Sequence, residues 1–321
     1  MTASDSADQT TAFDTPISLV GPLRAPAQML AEQDIGGQTS VHDDDTADKL
    51  GLAGAPIEGP THFSQIDPLG VCLWGQRWFE DGCISAHFLN MVFDGEEVRA
   101  SLTPTTATGA MVGAEKADGT PVLNGTATAG TDDVTDLDER RKRGLGDPGE
   151  LHIIDRISVG MDTRHPGETD LIVTMGFDEH NGPLYPFTLQ QKLDAITEPS
   201  RWYSADASSP WGAPIVPTEM LSVLAHKSGP HLPVRRPSVG LFIDLEVRYV
   251  QGPVFVGRPY RLDHQVVGIG QSRRVESFWT ETTVTDVHTG IHAATVLLHQ
   301  GVFKASYPDY PAAPVAPDSD G

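Results

Sequence analysis

With 321 residues the chain has room for two ordinary domains, because single cores seldom grow beyond about 250–300 residues, and its 39% hydrophobic content supports packed cores. Lys and Arg number 22 against 44 Asp and Glu, a formal net charge of −22 that argues against nucleic acid and anionic membrane surfaces as partners and reads as surface solubility. The two cysteines, Cys72 and Cys83, provide neither a disulfide framework nor a four-ligand zinc site and fit a reducing cytoplasm, and no window approaches the roughly 18 uninterrupted apolar residues of a membrane-spanning helix.

Residues 1–16, rich in Thr, Ser, Ala and Asp, lack the basic and apolar regions of a secretion signal and read as a disordered lead-in. A Gly-Ala-Pro-Ile tetrapeptide at Gly54–Ile57 recurs at Gly212–Ile215, 158 residues later, and each copy is followed by a Pro-Thr pair and an apolar segment. In the first copy, Phe63, Ile66, Leu69, Leu73 and Trp74 recur at helical spacing between Thr61 and Glu80, where Pro68 should bend or divide the helix. In the second, Met220, Leu221, Leu224 and Ala225 predict a shorter helix over Thr218–Lys227, closed by Gly229-Pro230.

Alternating runs predict strands at Val98–Leu102, Gly109–Glu115 and Val122–Ala129, then at Val239–Val250, Tyr260–Ile269, Val275–Thr285 and His292–Phe303. Turn pairs match between the halves, Asp94-Gly95 with Gly257 and Asp118-Gly119 with Thr289-Gly290, at offsets that drift to 162 and 171. The pattern divides the chain into a first domain over 17–130, a linker or exposed excursion over 131–150, a second domain over 151–305 and a disordered tail over 306–321.

One helix followed by long antiparallel strands, twice over, predicts an α+β tandem, or double, hot-dog fold. GQTSVHDDDTADKLGLAGAPIEGPTHFS at Gly37–Ser64 resembles the signature of MaoC-like hydratases, with His42 and Asp44 as its His-x-Asp and Ala47 and Gly51 as its Ala-x3-Gly. The closing strands, VGRPYRLDHQVVGIGQSRRVESFWTETTVTDVHTGIHAATVLLHQGV, resemble the same family. The sequence departs from the pattern where the family places a catalytic Asp: Gly37 stands there, Asp34 is the nearest upstream carboxylate, and Glu58 replaces a His before Gly59. In the second half Asp206 is followed by no His, so that copy reads as a structural partner.

The resemblance implies a metal- and cofactor-independent lyase that hydrates a 2-enoyl thioester or dehydrates its 3-hydroxyacyl counterpart. That chemistry needs an acid or base near neutrality and backbone N–H groups to hold an enolate oxygen. His42 is the candidate water-handling group, although Ser40–Asp45 also reads as a capped helix start. Glu58 is a second candidate acid or base, or a residue complementing the helix dipole. Asp34 stands in for the displaced carboxylate, His62 either supports Glu58 one turn on or is structural, and Gly59 offers the oxyanion donor.

Arg140, Arg141, Arg235 and Arg236 are candidates for the phosphates of an acyl-coenzyme A, or solvated charge runs. The remaining histidines, His87, His226, His264 and His299 among them, follow no metal-ligand spacing. An acyl thioesterase and a non-catalytic acyl-binding or scaffold protein remain the alternatives. The halves are expected to pack as an intramolecular pseudo-dimer, and a homodimer of such chains is a further expectation.

Overall fold

The computed structural model describes residues 15–34, 40–49, 51, 53–130, 133–143, 147–161, 163–164, 170–206, 209–227 and 231–311. The positions of Gly37 and Gly229-Pro230, most of the lead-in and the end of the tail lie outside them.

The first half contributes β1 (Leu19–Val20), helix α1 (Asp44–Lys49), a 3-10 helix (Gly59–Gln65), α2 (Asp67–Trp74) and α3 (Arg77–Glu80). Strands β2 (Gly82–Phe88), β3 (Val98–Pro104), β4 (Gly109–Lys116) and β5 (Pro121–Ala129) follow. Helix α4 (Asp136–Arg143) leads to β6 (Leu171–Val173), α5 (Leu189–Ala195), α6 (Thr218–His226), β7 (Gly240–Tyr249), β8 (Tyr260–Gln271), β9 (Val275–Asp286) and β10 (His292–Phe303). The helix expected between Thr61 and Glu80 is indeed divided: Pro68, in the first turn of α2, has no N–H to carry the preceding turn onward.

All ten strands join one antiparallel sheet in the order β1-β3-β4-β5-β2-β7-β10-β9-β8-β6. Read from either edge the order is the same arrangement of corresponding strands, so a pseudo-twofold passes between β2 and β7. Those two strands pair antiparallel from Cys83↔Arg248 to His87↔Asp244, which fuses the halves into one sheet and gives the double hot-dog fold. The concave face holds Phe63, Ile66, Trp78, Met220, Leu221 and Leu224, all nearly inaccessible, and each such side chain contributes about 1.5–3 kcal/mol by leaving water.

The register of the repeat differs from the tetrapeptide match by one residue. Pro56 bridges Phe93 and Ile57 N–H donates to Val92 O at 2.7 Å. The corresponding pair in the second half is Ile215 with Phe255 and Val216 N–H with Val254 O at 2.8 Å. Ile57 therefore corresponds to Val216 rather than to Ile215, and Gly59 to Thr218. Thr61 N–H to Glu58 O and Met220 N–H to Pro217 O repeat the same step. At the matched turns Gly95 and Gly257 adopt φ of 83° and 73°, a region that favours glycine.

Two stretches differ from expectation. Residues 136–143, placed in an exposed excursion, form α4 on the convex face, with Leu137 buried against Trp279 and Leu297. The segment carries little apolar surface, so its anchoring is largely polar: Thr135 Oγ1 donates to Glu246 Oε2 at 2.7 Å, Arg140 Nη1 to Asp244 Oδ1 at 2.6 Å and Arg248 Nη2 to Asp138 Oδ2 at 3.0 Å. At the other end, Ser306–Tyr310 belongs to the packed body rather than to a tail, with Val239 N–H bonded to Ser306 Oγ at 2.8 Å and Tyr310 edge-on to His152.

Candidate functional site

The segment before the first hot-dog helix forms one wall of a cleft between the halves. Ser40 accepts from His42 N–H at 3.0 Å and donates to Gln33 Oε1 at 2.6 Å, while Gln33 Nε2 donates to Leu184 O at 2.8 Å. This chain of bonds ties the His42 turn to a loop of the second half. Asp43 then caps α1, its Oδ1 accepting from Thr46 N–H at 2.9 Å, so the helix-start reading of this stretch holds and His42 stands just outside the cap.

His42 Nδ1 lies 2.7 Å from Pro56 O. A carbonyl only accepts, so Nδ1 carries the proton and Nε2 keeps its lone pair. Burial lowers the His42 pKa, against a smaller opposing effect of the Pro56 bond, and the ring is a neutral base at pH 7. It lines a cleft of about 270 Å³, shared with Tyr185, His226, Arg236 and Phe242. A second lobe of about 140 Å³ adjoins it through Val41, Leu241 and Phe242 and is lined by Gly59, His62 and Phe88.

Gly59 opens the 3-10 helix, and among the described residues its N–H meets no backbone carbonyl. A Cβ at this position would come within 2.7 Å of the Phe88 ring, so any side chain here would have to displace that ring. His62 lines the same lobe, with Nδ1 buried and, among the described residues, without a hydrogen-bond partner, and burial, with the charge of Lys192, lowers its pKa to about 4.

Glu58 stands between Ile57 and Gly59 in extended backbone, so its side chain points away from the lobe those two line. It enters a buried cluster in which Lys192 Nζ lies 3.2 Å from Glu219 Oε2 and 3.0 Å from Thr61 Oγ1. Burial raises the Glu58 pKa to about 7, partly offset by Lys192 and reinforced by Glu219, which is itself raised to about 7 by burial. Glu58 is thus a titratable neighbour of the helix start and lines neither cavity.

The other expected site residues divide cleanly. Arg236 lines the cleft beside His42. Arg140 is ion-paired to buried Asp244 on the convex face, Arg141 to Glu281 at 2.7 Å and Arg235 to Asp155 at 2.6 Å. These three are placed by carboxylates rather than around the cleft. Asp34 is exposed and its backbone N–H is bonded to Pro183 O at 2.9 Å. Asp206 is exposed as well.

The start of the second hot-dog helix is built differently. Asp67, buried, accepts from Thr218 N–H at 3.2 Å and Tyr203 OH at 2.9 Å through Oδ2, and from Trp78 Nε1 at 2.8 Å and the Thr218 hydroxyl through Oδ1. Burial raises the Asp67 pKa to about 6 in spite of these bonds. Sequence reasoning missed Asp67, Lys192, Glu219 and His226. A visible signal existed for the last two: a Glu and a His bracket the otherwise apolar run of α6, which is buried on all sides.

Among the described residues no cluster of His, Cys, Asp and Glu has the arrangement of a metal site, and no helix is long and apolar enough to cross a membrane. No family model matches the chain, and no curated protein sequence does. Among solved structures it is similar to a MaoC-domain dehydratase from Chloroflexus aurantiacus, 13% identical over 91% of this chain and 95% of that one, with a TM-score of 0.49. It is also similar to a Mycobacterium tuberculosis protein with a double hotdog fold, 11% identical over 88% and 96% of the two chains with a TM-score of 0.49. A third, the dehydratase domain of PpsC from Mycobacterium tuberculosis in complex with C12:1-CoA, is 10% identical over 78% and 85%, with a TM-score of 0.40.

Proposed function

We propose that the chain is a lyase that adds water to a 2-enoyl thioester, or removes it from the 3-hydroxyacyl product, with one site per chain at the start of the first hot-dog helix. The observation that carries the reading is His42, whose Nδ1 is held by Pro56 O and whose lone-pair nitrogen is left to a cleft that runs on to Gly59.

In the hydration direction, His42 Nε2 takes a proton from water as its oxygen bonds to C3 of the acyl chain. The C2–C3 π pair moves to give an enolate, whose charge rests on the thioester oxygen against Gly59 N–H. The Nε2–H of the imidazolium then protonates C2, so one water is added and the base is regenerated. The apolar wall of Leu241, Phe242 and Phe88 suits an acyl chain. Arg236, also on the cleft, is the cation best placed for an anionic carrier such as the phosphates of coenzyme A. Glu58 acts on this site only through its charge.

A panel of enoyl thioesters tests the reading. Loss of enoyl absorbance with a mass gain of one water supports it. Release of free thiol without hydration points instead to a thioesterase, and saturable binding without turnover to an acyl-binding protein.

A further inference from the structure

His226 closes α6, in the half that carries no open helix start, yet it lines the same cleft as His42. Its Nδ1 lies 2.7 Å from Ser222 O, the carbonyl one turn back, so Nδ1 carries the proton and Nε2 is an acceptor. Among the described residues, that Nε2 is buried and has no hydrogen-bond partner, and the ring lies 6.2 Å from that of Phe242. A buried acceptor left unsatisfied is unfavourable, and a bound hydrogen-bond donor removes that cost.

The place of His226 in the repeat is informative. Counted from Ile57 and Val216, Asp67 and His226 fall at the same step of the two copies. Asp67 meets the second helix start with a carboxylate and satisfies Thr218 N–H from within the protein. Its counterpart is an imidazole at a cavity. Burial lowers the pKa of His226, and burial with the charge of His226 lowers that of neighbouring His264 to about 3. Both rings are neutral at pH 7, and among the described residues His264 also keeps a buried Nε2 without a partner.

We infer that His226 Nε2 is a hydroxyl-recognition site of the cleft, accepting one O–H of the reacting water, and the 3-hydroxyl of the product, while His42 Nε2 takes the other proton. The inference rests on the hydratase reading and names the group on the second half that completes it. No covalent bond to His226 forms: it orients a water whose transferable proton goes to His42. The site therefore selects acyl thioesters that carry a 3-hydroxyl over saturated ones.

The test is nitrogen NMR of the full chain labelled with [15N]histidine, with 3-hydroxybutyryl pantetheine and butyryl pantetheine as probes. The His226 signals are identified by their absence in His226→Gln, and those of His42 in the same way. The inference expects the His226 Nε2 resonance to move with the hydroxyacyl probe and to stay in place with the saturated one. Movement of the His42 signals alone overturns the inference and leaves the hydratase reading standing. An equal response of His226 to both probes overturns it as well, because the hydroxyl is then not what is sensed. If neither histidine responds to either probe, the hydratase reading of the cleft fails and the inference with it. In turnover, His226→Phe is expected to lower kcat about 10–100-fold, and His226→Gln, which still offers an acceptor, to recover part of that loss.

Discussion

The two hot-dog helices start from the same hydrogen-bonded step and meet opposite surroundings. At the first, Gly59 presents its N–H beside a cavity, with no backbone acceptor among the described residues and no side chain of its own in the way. At the second, Thr218 N–H and hydroxyl are both held by Asp67, which Trp78 and Tyr203 fix in turn. A helix start has unpaired donors and attracts negative charge. The molecule satisfies this requirement internally in one half, whereas in the other the helix start adjoins a cavity. On the proposed reading the duplicated fold keeps one chemical centre, and the other copy supplies rigidity and part of the cleft wall.

The largest effect expected from this contrast is at His42. His42→Ala should lower kcat by roughly 10²–10⁴, the scale for losing a positioned acid or base, with an unchanged melting temperature. Steady-state kinetics on protein shown to melt like the parent decides this, and full activity would move the site elsewhere. Asp67→Ala should act the opposite way. It leaves Thr218, Trp78 and Tyr203 with buried unpaired donors and should cost about 3 kcal/mol in denaturant unfolding, while the fraction still folded keeps its kcat.

Gly59→Ala sharpens the comparison from the first helix. The added methyl meets Phe88 at 2.7 Å and should drive the ring into the lobe, displacing the acyl group and lowering kcat/KM about 10²-fold. The same change at the second helix start has no meaning, since that position already carries the side chain of Thr218.

The smallest effect concerns pH. Glu219, raised from 4.5 to about 7, holds its proton more tightly folded than unfolded. Its contribution to stability is therefore complete below about pH 4.5 and is lost as the pH rises through about 7. Glu219→Gln should remove this loss, so unfolding curves of variant and parent should diverge across that window in favour of the variant, by up to roughly 1.4 kcal/mol per pH unit. A constant difference at every pH would contradict the assignment.

The fold was largely legible because strands such as β3 and the start of β8 alternate and its turns carry glycine at matched places, such as Gly95 and Gly257. The seam strand β2 was not, because α4 covers its outer face and the concave core its inner face. With Gly82 to Ala86 buried in succession, no period of two remains. The tetrapeptide revealed the duplication and misplaced it by one residue, since backbone pairing rather than side-chain identity sets the register. Of the expected site residues, His42 and Arg236 line the cleft and Gly59 its adjoining lobe. His226 stood out only as a polar residue closing the buried run of α6; its meeting with the His42 segment across one cleft joins two stretches distant in sequence, and spacing along the chain carries no trace of that. Arg140, Arg141 and Arg235 looked like free cations because their carboxylate partners are remote in sequence.

The most direct test of one open and one closed helix start is a crystal structure of the full chain with bound 3-hydroxybutyryl pantetheine. The account predicts one acyl group per chain, its thioester oxygen about 2.7–3.1 Å from Gly59 N and its hydroxyl by His42, with Asp67 still on Thr218. An acyl group seated at Thr218 with Asp67 displaced, or one bound away from both helix starts, would contradict it.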